Sequence, residues 1–368
     1  MQKLVRTALA VATLAAAVAN VTHAAEEKKA SKWYDNMKIK GDLRYRYQQD
    51  DGDDYVAAVG ATPATTKEAD RSRNRIRVRL GTYGTVNDMM DYGVRLATGG
   101  DATHDSTNQS LTGGNFGKYA ISLDQAYVNM KFFPDTKLTL GKMENPFWAP
   151  QSSGLVWDGD INPEGMAFNY ASGHFWATVA HLLPDSDTSG GSQQLSALQL
   201  GFKTGGFTGG ATYYNSSSDP ATPATKATMV TGASTGADMY DVGLEYAFNI
   251  SELKAAVYGD YLGNTDDATA SDQEYSYTVG FNLKGKEWKA GIAYLDLGDD
   301  GASGLQDSDF NAAKSDSEGY RVNVAYSIAK NAEAGLTYFA WEKDVSSTTA
   351  MKNGLDGSTL QADLAFKF

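Results

Sequence analysis

Five arginines, Arg71, Arg73, Arg75, Arg77 and Arg79, fall on alternate positions of one stretch. In an extended strand successive side chains point to opposite faces, so all five guanidinium groups share a face. Ile76, Val78 and Leu80 occupy the other. Arg44 and Arg46 lie on the polar parity of a preceding alternating stretch, and Arg95 on that of the next one. Such a row of fixed cations does electrostatic work. It draws permeant anions, or it faces carboxylates and sets up a transverse field that sorts solutes by size and dipole.

Carboxylates for that field are available further along. Asn145-Pro146-Phe147-Trp148 opens a long polar connection, and Trp157-Asp158-Gly159-Asp160-Ile161-Asn162-Pro163-Glu164-Gly165 closes it. Indoles gain nothing in bulk water, so this loop is expected to fold inward, with Asp158, Asp160 and Glu164 opposite the arginines. The plainer alternative pairs the arginines with wall carboxylates such as Asp42 and Glu245, which would stiffen the structure. Asp158, Asp160 and Asn162 have the opening spacing of a calcium loop. Pro163 stands where glycine is needed and Asn169 where a bidentate glutamate is needed, so an EF-hand is excluded and no metal is assigned.

Catalytic chemistry has little to stand on. Beyond the N-terminal segment the histidines are His104, His174 and His181. His174 and His181 have opposite parity. No phosphate loop and no His-Glu-x-x-His occurs, so neither an enzyme nor a cofactor is expected.

The elements that position the arginines are strands. Sixteen alternating stretches are readable, from Met37–Gln48 and Arg71–Gly84 to a last one ending at Phe368. Counts of fourteen or eighteen are the alternatives. Tight turns such as Val86-Asn87-Asp88, Pro134-Asp135, Ser172-Gly173, Gly205-Gly206 and Lys330-Asn331 alternate with long polar loops. Those loops span about 50–70, 100–122, 145–163, 184–194, 215–238, 263–273, 298–318 and 343–357. Regular long/short alternation and an even count define an all-β, transmembrane, antiparallel up-and-down barrel, with short periplasmic turns and long extracellular loops. A lipid-facing arginine costs about 2–4 kcal/mol at mid-bilayer, and five cost on the order of 10. In a barrel the arginine row must therefore face the lumen. Tyr45, Tyr47, Tyr92, Tyr213, Tyr246, Tyr261, Tyr275, Trp288 and Tyr294 read as interfacial girdles. Aromatics on the lumen parity are few: Tyr127, Tyr258 and Trp341.

The ends agree with export. Lys3 and Arg6 precede an apolar run from Thr7 to Ala19, and Thr22-His23-Ala24 offers a small-residue cleavage site, so residues 1–24 read as a signal peptide. Residues 25–36 form a short charged periplasmic lead-in, and 37–368 the barrel. Removing Lys3 and Arg6 takes the formal charge from −13 to −15, which argues against nucleic acid. Cysteine is absent, which excludes disulfides and thiolate metal sites. Mean hydropathy is −0.41, and no later run reaches the length of a spanning helix, so a membrane could be crossed only by strands. Phe366 and Phe368 close an alternating strand and suit a C-terminal signal for barrel-assembly machinery. Acidic runs such as Asp50-Asp51-Gly52-Asp53-Asp54 and Asp299-Asp300 would share divalent cations with lipopolysaccharide.

Over its whole length the chain resembles a Gram-negative outer-membrane porin. The stretches Leu140–Trp148 and Leu155–Gly165 are similar to the central segment of a porin family known mostly by homology. The resemblance implies a sixteen-strand barrel, a homotrimer, and passive diffusion of small hydrophilic solutes and ions through each protomer. The general porins carry arginines on the wall opposite acidic residues of the third loop. That implies a constriction formed here by Arg44, Arg46, Arg73, Arg75, Arg77, Arg79 and Arg95 with Asp158, Asp160 and Glu164. A selective, phosphate-type anion channel and a structural or adhesin barrel are the competing functions.

Overall fold

A chain whose strands alternate apolar and polar residues must bury one face and leave the other on an apolar solvent or core. The computed structural model describes residues 36–56, 65–68, 70–100, 106–111, 116–185, 193–218, 238–265, 275–298, 305, 309, 317–343 and 355–368. The expected signal peptide and residues 25–35 of the lead-in lie outside the described residues, as do His104 and Asp299-Asp300.

The wall begins with β1 (Lys38–Val56), to which a short β2 (Thr65–Glu68) is appended. It continues through β3 (Arg71–Asn87), β4 (Met90–Thr98), a two-residue β5 (Gln109–Ser110), β6 (Ile121–Met130), β7 (Thr136–Lys142), β8 (Glu164–Ser172) and β9 (Phe175–Asp185). The second half comprises β10 (Gln193–Thr204), β11 (Phe207–Ser218), β12 (Asp238–Ile250), β13 (Leu253–Asn264), β14 (Tyr275–Lys284), β15 (Trp288–Leu297), β16 (Ser317–Ala329), β17 (Ala332–Lys343) and β18 (Leu355–Lys367).

Without β2 and β5, which only extend β1 and β3, sixteen strands form one closed antiparallel ring. Each pairs with its neighbours in chain order, and β1 pairs with both β3 and β18. The expected count of sixteen holds. Tight turns work because residues that tolerate the left-handed region sit in them: Asp135 (φ 61°), Ser251 (φ 54°) and Asn331 (φ 63°), with Gly173 and Gly205.

Burial is inverted relative to a water-soluble protein. On β1, Leu43 and Tyr45 are 42% and 43% exposed while Arg46 is 4% exposed. On β3, Leu80 lies outside and Arg75 is buried. Tyr213, Tyr246, Tyr261, Tyr275 and Trp288 also stand on the outer surface. This is a wall built for lipid outside and polar contents within.

The seam closes at Phe368. Its N–H donates to Gly41 O (3.0 Å) and its carbonyl accepts from Gly41 N–H (2.9 Å). Its ring lies against the Gly41 Cα, where a Cβ would come within 2.5 Å of Arg79 O and 2.6 Å of the ring. Gly41→Ala should therefore cause a several-fold drop in the folded, heat-modifiable band on SDS gels. Gly259→Ala, whose Cβ meets nothing closer than 3.8 Å, should leave that band intact.

Candidate functional site

The arginine row gains two more members when β1 docks on β3. The register sets Arg44 opposite Arg77 and Arg46 opposite Arg75, with Gln48 opposite Arg73 and Asp42 opposite Arg79. Two guanidinium charges about 5 Å apart repel by about 3 kcal/mol at an effective dielectric near 20, so counter-charge is obligatory. Most of it comes from the wall. Asp42 accepts from Arg77 (2.8 Å) and Arg79 (2.7 Å). Asp50 takes Arg71 (3.2 Å) and Arg73 (3.1 Å). Asp363 on β18 takes Arg46 (2.7 Å) and stands 3.8 Å from Arg44.

Loops supply the rest. Asp160, from the loop between β7 and β8, lies 3.6 Å from Arg79 and 3.9 Å from Arg77. Its other oxygen accepts from Thr107 N–H (3.1 Å) and Thr107 Oγ1–H (3.0 Å). Asp309, from the loop after β15, pairs with Arg46 at 3.0 Å. Burial pushes the Asp309 carboxyl up, but the Arg46 charge outweighs it and holds the group below its ordinary value of 3.8. The loop after β4 also bends over the row. Asn108 Oδ1 accepts from Arg44 (2.5 Å), while Ser106 Oγ and Asn108 O accept from Arg75 at 3.2 and 3.4 Å.

The loop between β7 and β8 runs along the inside of the wall, held on both sides. Phe147, Leu155, Val156, Trp157 and Ile161 are buried against inward-facing Ala180, Leu182, Leu195, Ala197, Tyr214, Met239 and Leu262. At about 1.5–3 kcal/mol per buried side chain, this packing contributes on the order of 10 kcal/mol. Polar pins fix its path. Trp148 exchanges two bonds with Gln199 (N–H to Oε1 2.8 Å, Nε2 to O 2.9 Å). Gln151 N–H donates to Glu245 (3.2 Å), and Ser153 Oγ–H donates to the buried Asp260. Trp157 Nε1–H donates to Tyr214 Oη (3.2 Å). On the returning arm Asn162 bonds Asp124 (2.9 Å) and Gln125 (2.7 Å), and Arg95 Nε donates to Asp124.

Of the loop's three named carboxylates, Asp160 reaches the arginines. Asp158 turns back on its own loop, accepting from Asp160 N–H (2.8 Å). Glu164 does not join them. The β7–β8 register puts it opposite Lys142, with which it pairs at 2.8 Å, exposed. Glu245 serves the loop backbone rather than an arginine. Asp158, Asp160 and Asn162 diverge, and among the described residues no group of metal-ligating side chains converges on a cation site.

Sequence reading missed Ser106, Thr107, Asn108, Asp124, Asp309 and Asp363. Asp363 carries a signal, since it sits on the polar parity of β18, but its partner is visible only once the seam register is known. The loop residues carry none. His174 and His181, for their part, bond Lys203 O (2.8 Å) and Ser196 Oγ (3.1 Å) and form no triad with them.

A family model described as "Putative porin" matches residues 14–239. The chain belongs to this porin family. No curated protein sequence matches it. Two engineered variants of the Rhodopseudomonas blastica porin superpose on it with TM-scores of 0.54 and 0.53. Each is 12% identical, over 90% of this chain and 100% of that one. A further structure, described as "Asymmetric conductivity of engineered proteins", gives a TM-score of 0.53 at 12% identity and the same coverage. At such identity these structures speak for the fold, and family and fold together indicate an outer-membrane channel.

In this porin, Asp42→Asn strips Arg77 and Arg79 of their nearest carboxylate. It should cost about 2 kcal/mol in urea unfolding of the inserted barrel, whereas Glu164→Gln should cost under about 0.5. The sign for Asp309 follows from its depressed value. Its contribution is present above 3.8 and is lost as pH falls through the lower folded value. A fluorescent probe attached at Leu305→Cys should thus keep its spectrum down to that pH and shift only below it. Asp309→Asn should abolish the step.

Proposed function

We propose that this porin is a water-filled channel for passive diffusion of small hydrophilic solutes and ions, filtered where the third long loop meets the arginine row. The observation that carries this reading is the loop's split attachment. Apolar packing and the Gln199, Tyr214 and Asp260 bonds hold it to one half of the wall. On the other side Asp160 is drawn to Arg77 and Arg79. A segment fixed at both sides narrows the lumen, and a cationic wall beside a carboxylate sets up a transverse field there.

A second reading, an anion-selective channel, is favoured by the charge balance. Arg44, Arg46, Arg71, Arg73, Arg75, Arg77 and Arg79 are answered by Asp42, Asp50, Asp160, Asp309 and Asp363, which leaves guanidinium charge in excess among the described residues. Among the described residues Arg44, Arg73 and Arg75 each keep a buried Nε–H without an acceptor. Among the described residues Arg75 bonds only neutral oxygens, those of Gln48, Ser106 and Asn108. The surplus positive charge favours an anion in passage.

Purified protein in planar bilayers should give stepwise, ohmic conductance. Absence of conductance would leave a structural or adhesin barrel. In a salt gradient, Arg75→Ala with Arg77→Ala should move the reversal potential toward cation selectivity. An unmoved potential would make the row purely structural.

A further inference from the structure

Below the third loop, toward the short-turn mouth, the wall borders an open cavity of about 880 Å³. Its floor is aromatic. Trp176 stands on the lumen face of β9, in register with Gly201, and its indole lies flat on that glycine. Any Cβ at position 201 would occupy the space of the ring. The Trp148 indole, from the loop, lies over Gly210, with a Cβ there 3.0 Å from Cε3. The two rings are 5.7 Å apart and inclined at 66°. Gln199 holds the Trp148 backbone at both N–H and C=O, and its Oε1 also accepts from Trp176 Nε1 at 3.5 Å. Both indoles are thus backed by bare wall and held in place, and each is only partly buried.

The rim is basic. Lys131, Lys137 and Lys203 line it. Lys131 is taken by Asp91 at 3.2 Å, and neither Lys137 nor Lys203 has an ion pair among the described residues. Two carboxylates also line it: Glu245, which accepts from the Gln151 backbone, and Asp135 in the turn between β6 and β7.

We propose that this cavity is a binding site for a small ring-bearing acid, a solute with an apolar ring face and one carboxylate. The corner of two inclined indoles accepts a flat body stacked on one ring and edge-on to the other. Lys137 and Lys203 supply the counter-charge for its carboxylate. The site lies in the path of any solute that has passed the arginine row, so it gives the channel a second point of selection. This inference rests on the channel reading for its purpose but not for its test.

An aromatic ring and a sugar ring share this chemistry, and two arms separate them. The full-length protein in detergent micelles is titrated by calorimetry with benzoate and with glucuronate, and with benzamide, glucose and acetate as controls. One of the two ring acids should bind at least tenfold more tightly than acetate and than its own neutral counterpart. Trp176→Leu should weaken that binding at least tenfold. Lys137→Gln with Lys203→Gln should remove the preference of acid over neutral ring. Heat-modifiable migration verifies that each variant is folded. Equal binding of acetate and both ring acids, or full-strength binding by folded Trp176→Leu, overturns the proposal. Bilayer conductance of the same preparation keeps the two readings apart. Conductance without ring-acid binding overturns the site alone, and binding without conductance overturns the channel alone.

Discussion

In hydrocarbon a backbone N–H finds no partner except another strand, and leaving it unpaired costs several kcal/mol. Every other feature follows from satisfying that demand with a closed ring. Closure fixes the β1–β18 and β1–β3 registers at once, and those registers decide which side chains meet inside. Arg46 therefore faces Arg75 on one flank and Asp363 on the other. The charge pattern of the lumen is a consequence of how the edges join.

The interior divides into two unlike halves. Around β9 to β13 the inward residues that seat Phe147, Leu155, Val156 and Trp157 are mostly apolar, with Glu245 and the buried Asp260 among them bonding the loop. Around β1, β3 and β18 they are arginines and their carboxylates. A loop with apolar residues in its middle and Asp160 on its returning arm fits between these halves in one orientation. Packing on one side and Coulomb attraction on the other act together, and neither alone would define the position of Asp160.

Much of this was legible in the sequence. Period-2 alternation located all sixteen strands, because a lipid-facing side chain is under the same constraint in every strand. Parity alone sent Arg71 to Arg79 to one face. What the residues did not reveal were partners that depend on closure or on loop paths. Asp363 is 317 residues from Arg46, and nothing local to either names the other. Glu164 looked like a constriction residue because it follows Asp158 and Asp160, yet it begins a strand, where register with Lys142 governs it. Trp176 was passed over because a single inward aromatic has no periodic signature. It becomes visible only beside Gly201 and Trp148.

The Arg46–Asp363 pair also bears on assembly. The two residues belong to the first and last wall strands, so their charges stay apart until the sheet curls shut. An open, partly inserted sheet would carry Arg46 with one carboxylate fewer, a surplus cation on the surface about to become the lumen. Completing the ring removes that surplus in the same step that removes the two free edges. The last motion of folding is thus driven by electrostatics as well as by hydrogen bonds, and a chain cut before β18 would forgo both.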